Sequence, residues 1–429
     1  MGLWSWLRRL LFGQPKRSAA SRSDDREQKR RRPRARLTPL RHRQRRTDRW
    51  RQRDAAGSIN KITVKSQPYR FAWSSVFGGF LDLNRDGDPA RLKQAGLPVF
   101  QTPQELADWL QMPIGRLAWL VHRFHDHQRP ATVKLSHYHY QWIAKRSGDR
   151  RLLEIPKPQL KAAQEKILRE ILDLVPTHSA AHGFVTGRSI KTNAEPHVGQ
   201  RVVMKFDLEN FYPSVKYSRV VAIYRSLGYS REAAIWLGRL TTSITPPLGT
   251  LKDLATEAEW IPYATRHLPQ GAPTSPALAN LSAFALDLRL AGLARTFHAN
   301  YTRYADDLTF SGPDQFLRSL RVFIPLVMQL IRQERFRVKL SKRKVIRNSQ
   351  QQRICGVVVN EQIGIPRREF DRLKAILTNC VRRGPATQNH ERHPDFAAHL
   401  RGRIAHVSHL HSERGARLLD LFEQIDWNS

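Results

Sequence analysis

Three acidic residues carry the chemistry that this sequence offers. Asp306 and Asp307 stand together inside "YTRYADDLTF", Tyr301 to Phe310. Its aromatic and β-branched residues alternate as in a β-hairpin with one face on a core. Asp207 interrupts "RVVMKFDLENFYPSV", where β-branched and apolar residues read as a buried strand that runs into a carboxylate. An acid there is costly unless a cation or a nest of amides holds it. A solvated turn would also suit an Asp-Asp pair, because Asp bonds nearby backbone amides. If the two segments are neighbours, three carboxylates meet on one surface and repel one another. Two Mg²⁺ ions about 4 Å apart relieve such repulsion and serve in-line nucleotidyl transfer: one activates the attacking hydroxyl, the other holds the triphosphate and the leaving pyrophosphate.

Other segments could serve the same chemistry. In "LPQGAPTSPALANL", Gln270-Gly271-Ala272-Pro273 lets a ligand approach the backbone closely. Ser275 and Pro276 there read as a helix cap and first helical position. "YQWIAKRSGDRRLLEIP" has the form of a hairpin turning at Ser147-Gly148-Asp149, with Lys145, Arg146, Arg150 and Arg151 around the turn. Arginine there would grip a triphosphate bidentately. "FRVKLSKRKVI" places Lys344 in a strand-like run, where it could donate a proton to pyrophosphate. Taken singly, each is also explained by an ordinary loop or a solvated charge face.

The elements that must hold these residues form an α+β body over residues 136–360, with strands and helices mixed. Residues 1–60 read as a disordered basic arm that begins with a short amphipathic stretch, and 61–135 as a helical region. In the latter, Thr102 caps "TPQELADWL" and Pro113-Ile114-Gly115 divides two helices, as a helical cap on the body or a helix-turn-helix. Residues 361–429 carry three helical patterns dense in Arg and His. The chain of 429 residues has a net charge of +36; residues 1–54 hold 19 Lys/Arg against 5 Asp/Glu, which leaves +22 on the remainder. The folded body is thus itself expected to bind a polyanion. Cys355 and Cys380 have no metal-ligand spacing, and the chain has no apolar run long enough for a membrane span, so a reducing cytoplasm is the expected compartment.

Taken in order, Gly148-x-x-Arg151-x-Leu153-x-x-Pro156, Asp207-Leu208-x-x-Phe211, "LPQGAPTSP", "YADD" and Lys344 resemble the successive blocks of reverse transcriptases. With the helical tail, the resemblance spans roughly two thirds of the chain. It implies a right-hand polymerase of fingers, palm and helical thumb. Asp207, Asp306 and Asp307, with the Leu208 backbone, would hold two Mg²⁺ ions. Lys145, Arg151, Phe211, Gln270 and Gly271 would meet the incoming dNTP, and Tyr212 would block a ribose 2′-OH.

"AAHGFVTGRSIKTNAEPHVGQ" narrows the resemblance, because Asn193-Ala194-x-x-His197 is similar to the NAxxH signature of bacterial retron reverse transcriptases. That subfamily's Val-Thr-Gly is replaced here by Ile354-Cys355-Gly356, which changes a hydroxyl for a thiol at an expected RNA contact. The resemblance implies RNA binding by Asn193, Ala194, His197, Ile354, Cys355 and Gly356. It further implies a cognate structured non-coding RNA, priming from a guanosine 2′-OH, and a small RNA-linked DNA product. A separate host RNase H would remove template, and a partner effector protein would join an antiphage defence role. Two alternatives stand beside it: another bacterial reverse transcriptase such as a group II intron enzyme, and an RNA-binding scaffold whose polymerase is dispensable.

Overall fold

The structure is a computed structural model that describes residues 71–74, 79–82, 86–121, 130, 132–145, 148, 150–251 and 256–427. The basic arm, its amphipathic start, and Arg146, Ser147 and Asp149 lie outside the described residues.

A short antiparallel hairpin comes first, β1 (Phe71–Ser74) with β2 (Gly79–Asp82), an element that the helical pattern of 61–135 does not anticipate. Helices α1 (Pro89–Gln94), α2 (Pro103–Trp109) and α3 (Ile114–Leu120) follow. Thr102 caps α2 as expected, its hydroxyl accepting from the Glu105 amide at 3.2 Å. The Phe100 ring packs on Trp109 and Tyr229, with centroids 5.2 and 4.6 Å away. Those contacts make the region a cap on the body.

Strands β3 (Tyr138–Ala144) and β4 (Arg150–Pro156) form the second hairpin, with Gly148 between them at φ 86. Then come α4 (Pro158–Glu170) and the one-turn α5 (Ile190–Ala194). The central sheet is antiparallel, in the order β6 (Asn300–Tyr304), β7 (Asp307–Gly312), β5 (Val202–Asp207), β8 (Lys344–Arg347). Alternation along β5 decides what each face does. Val202, Met204 and Phe206 enter the main core, whereas Val203, Lys205 and Asp207 share the opposite face. Between β5 and β6 lie α6 (Phe211–Ser214), α7 (Tyr217–Leu227), α8 (Arg231–Leu240), the one-turn α9 (Glu257–Trp260), α10 (Ser275–Ser282) and α11 (Phe284–Thr296). Thr274 takes the cap position of α10, one residue before the expected Ser275, and the Ser275 hydroxyl instead donates to the Pro269 carbonyl at 2.6 Å.

Helix α12 (Asp314–Gln333) crosses the core face. Among the described residues no single helix is long and apolar enough to cross a membrane. The bent pair α10–α11 passes that test jointly, but Leu278, Leu286, Leu290 and Leu293 bury it in the main core. After the small hairpin β9 (Arg353–Ile354) and β10 (Val357–Val358), the chain ends in α13 (Arg367–Arg383), α14 (Phe396–Leu410) and α15 (Ser412–Glu423). Their apolar stripes, including Leu377, Leu400, Ile404 and Leu418, form a second core that also takes in Val203, Ala194 and Ile354. The helical end is thereby seated on the face of β5 that carries Asp207.

Candidate active site

Ala305 and Asp306 form the turn between β6 and β7. Ala305 sits at φ 53, a left-handed value that an L-residue keeps only when its surroundings enforce it. Strand register places Asp207 directly opposite Asp307. The Leu208 amide donates to the Asp306 carbonyl at 2.9 Å, which ties the turn to the exit of β5. Three carboxylates are thus gathered by backbone pairing, as the strand patterns predict. Burial, then the charges of Asp307 and Asp207, push Asp306 up to about 6. Burial also raises Asp307, against the opposing pull of Lys205.

Such a site suits a divalent cation. Its donors are hard carboxylate oxygens, and negative charge is concentrated where water is largely excluded. Asp207 already meets one cation, since Lys342 Nζ lies 2.6 Å from its Oδ2. That hydrogen bond holds the Lys342 ammonium above its ordinary value. Among the described residues no three His, Cys, Asp or Glu side chains close into a metal cage. The register sets Asp207 against Asp307 and next to the turn of Asp306, and a cation there would need substrate oxygens to complete its coordination. Asp207, Asp306, Asp307 and the Leu208 carbonyl are the groups that would hold the metal.

A second layer, which sequence reasoning missed, fixes the turn from the core side. Arg303 is fully buried on β6 and grips Asp287 of α11 through Nε and Nη2 at 2.8 and 2.6 Å. Its Nη1 donates to Asn280 Oδ1 at 2.9 Å and to the Ala305 carbonyl at 3.0 Å. Asn280 in turn donates to the Gly183 carbonyl at 2.9 Å. Gly183 lies so close to the turn that a Cβ there would stand 2.7 Å from the Ala305 nitrogen. One clue was available: in "YTRYADD" Tyr301 and Arg303 share parity, so a core-facing Tyr301 puts a guanidinium in the core as well, where it requires a carboxylate.

Residues expected to meet the nucleotide cluster in part. Tyr212 is half-buried beside the turn; burial, then the Asp306 charge, push its hydroxyl up to about 12 and keep it protonated. Its neighbour Phe211 is buried, with ring centroids of Tyr212 and Phe336 at 5.6 and 5.7 Å. The Gln270 carbonyl accepts from the Glu154 amide at 2.8 Å, and Gly271, at φ 126, leaves a Cβ position only 3.1 Å from the Glu154 carbonyl. Close approach at this glycine therefore serves docking onto β4, the strand that carries exposed Arg151. Buried Glu154 reinforces that joint by meeting His267 Nε2 at 2.8 Å. Arg150 is tied to Glu259 at 3.0 Å, and Lys145 is half-buried just past β3. Lys344 stands exposed opposite Lys205, on the face of the acids. The lysine that reaches a carboxylate is Lys342, two positions earlier.

For the residues expected to contact RNA, burial corrects the reading. Asn193, Ala194, His197 and Ile354 are buried and offer no surface to RNA. His197 lies under the sheet, with Nδ1 2.6 Å from the Ser311 hydroxyl and Nε2 2.7 Å from that of Thr302. Burial pushes this imidazole down to about 3, so it remains a neutral strut between β6 and β7. The Asn193 carbonyl accepts from the Thr302 hydroxyl at 3.2 Å, and its amide nitrogen lies 3.6 Å from the Cys355 sulfur. Cys355 and Gly356 are the two central residues of the β9–β10 turn, at φ 48 and 88. Burial, with Asp307 nearby, pushes the Cys355 thiol up to about 12, so it does not act as a thiolate.

Comparison with known proteins agrees with this geometry. Residues 143–359 match the family model described as reverse transcriptase (RNA-dependent DNA polymerase). The retron Mx65 reverse transcriptase of Myxococcus xanthus is 41% identical over 331 residues, covering 77% of this chain and 73% of that one. From the same organism, the retron Mx162 reverse transcriptase is 32% identical over 404 residues, covering 88% and 80%. The retron Ec86 reverse transcriptase of Escherichia coli is 28% identical, covering 78% and 93%. A matched block that begins on β3 and ends just past β10 contains every element that converges on the three carboxylates. With relatives of this identity and coverage, it places the chain in the reverse transcriptase family, as a retron-type RNA-directed DNA polymerase.

Proposed function

We propose that this enzyme copies a structured non-coding RNA of its own, using a guanosine 2′-OH of that RNA as primer and leaving a short DNA joined to it. The observation that carries the reading is the register-fixed meeting of Asp207, Asp306 and Asp307, in a chain whose relatives are named retron reverse transcriptases. Two Mg²⁺ ions would supply activation of the attacking hydroxyl and neutralisation of the triphosphate charge.

The chain's own residues do the remaining work. Arg151 and Lys145, on the β3–β4 hairpin, grip the triphosphate of a dNTP. Gln270 and Gly271, locked to β4 through Glu154, set where that nucleotide lies. Tyr212 presents a half-buried ring beside Asp306 and excludes a ribose 2′-OH by bulk. Lys342 and Lys344 lie on the acids' side of the sheet as proton donors to the leaving pyrophosphate. Asn193, Ala194 and His197 act on the RNA indirectly, by fixing the Cys355-Gly356 turn and the far end of the sheet. Removal of copied RNA falls to a host RNase H, and an effector protein joins the enzyme in antiphage defence.

Expression with native flanking DNA tests the reading. One discrete RNA should copurify, chosen by shape and unpaired bases rather than by charge alone. RNase treatment should leave a single short DNA with a ribonucleotide remnant attached through a 2′-phosphodiester. A heterogeneous RNA mixture, or DNA with an ordinary 5′ end, would refute the retron product while leaving reverse transcription standing.

A further inference from the structure

An exposed ring stands beside the catalytic turn on a loop fixed at both ends. Residues 180–182 run along the outer edge of β6: the Arg303 amide donates to the Ala180 carbonyl, and the His182 amide to the Arg303 carbonyl, each at 2.7 Å. Gly183 then abuts Ala305, and the chain bends at Phe184 with φ 59. Farther along, the Arg188 guanidinium holds the carbonyls of His178 and Ser179 at 2.8 and 3.2 Å. Ser189 caps α5, and its hydroxyl lies 3.3 Å from His409 Nε2 on α14. The loop therefore spans from the catalytic turn to the C-terminal helices.

Phe184 is 60% exposed. Among the described Phe and Trp side chains only Trp119 is similarly uncovered, and it has the Arg116 guanidinium and the His137 ring each 4.2 Å away. The ring that Phe184 meets is Tyr304, at 6.2 Å and tilted by 43°. A left-handed backbone favours glycine or asparagine over a bulky residue, and an apolar ring in water adds nothing to the core. Two unfavourable features thus coincide at one residue beside the reacting groups. They are offset if the ring has a partner on the substrate side.

We infer that Phe184 is a nucleic-acid-binding residue whose ring, with Tyr304, packs against the sugar and base of the template–primer nucleotide lying over the catalytic turn. A strand running from the basic C-terminal helices to the carboxylates crosses this loop. Stacking on an aromatic face tolerates any base, as copying an arbitrary sequence requires. The inference rests on polymerase activity and not on the identity of the RNA.

The test uses the full chain and a primed template of unrelated sequence, so its outcome is independent of whether a cognate RNA exists. Phe184→Ala should weaken template–primer binding roughly tenfold, with the loss in KM for template–primer exceeding that in kcat and with Tm unchanged. Phe184→Trp should retain affinity, and Trp119→Ala should match wild type. The inference is overturned if Phe184→Ala binds as tightly as wild type. It is equally overturned if Trp fares no better than Ala, or if Tm falls together with affinity, because the ring would then support the fold.

Discussion

Asp306 separates a residue kept for chemistry from one kept for stability. Its folded-state value of about 6 lies above the ordinary 3.8, so between those values the folded chain holds a proton that the unfolded chain has released. Metal-free stability therefore falls as pH rises through that window, by on the order of 3 kcal/mol for a single site. Asp306→Asn should raise the metal-free Tm above that of wild type at pH 8, and the difference should vanish near pH 4. The same substitution should reduce primer extension with Mg²⁺ by at least 100-fold, since several kcal/mol of charge stabilisation leave with the carboxylate. A Tm difference independent of pH would show that Asp306 titrates as an ordinary carboxylate, and extension within tenfold of wild type would remove it from the metal site. Tyr212 gives a second test at this scale. Tyr212→Ala should raise ribonucleotide relative to deoxyribonucleotide incorporation in single-nucleotide extension, because exclusion by bulk disappears with the ring. An unchanged ratio would mark Tyr212 as ordinary core.

At the scale of elements, the catalytic turn is held by parts distant in sequence. Gly183→Ala drives a Cβ to within 2.7 Å of the Ala305 backbone, and backbone cannot yield as a flexible side chain would. The turn must shift, and a displacement of an ångström in reacting groups costs about 100-fold in rate. Extension at saturating template–primer should fall by that order; a rate within threefold would show that the turn tolerates displacement. Arg303→Met should instead lower stability by about 3–5 kcal/mol, because it leaves the Asp287 carboxylate buried and unpaired. Both the hairpins and the three C-terminal helices were legible in the sequence because alternation, turn glycines and caps are local signals. Asp207, Asp306 and Asp307 were legible as candidates, since acids inside apolar strands contradict their surroundings. What remained hidden depends on long-range contact: that Lys342 rather than Lys344 reaches Asp207, that Asn193 and His197 lie buried against β6, and that Asp287 pairs with Arg303. The β1–β2 hairpin was missed because its two strands have only four residues each, too few to show a period.

The whole molecule is a polycation with an acidic centre. The net charge of +36 attracts nucleic acid at a distance, whereas the carboxylates at the turn repel it locally unless cations intervene. Affinity and catalysis should therefore respond oppositely to ionic conditions, with monovalent salt weakening binding and divalent metal enabling extension. Residues 1–54 contribute 19 Lys/Arg against 5 Asp/Glu, and the remainder still holds +22. Each phosphate neutralised adds about 0.7 to 0.9 to the slope of log affinity against log salt. Deleting residues 1–54 should thus flatten that slope by several units and weaken RNA binding most at low salt. Extension at saturating template should persist, since every residue placed at the carboxylates lies beyond position 140. Fluorescence anisotropy with one RNA, titrated across a salt series for the full-length and shortened chains, measures both slopes. Equal slopes would mean that the arm's charges do not meet the RNA and serve another polyanion, leaving the body alone to supply the electrostatic affinity.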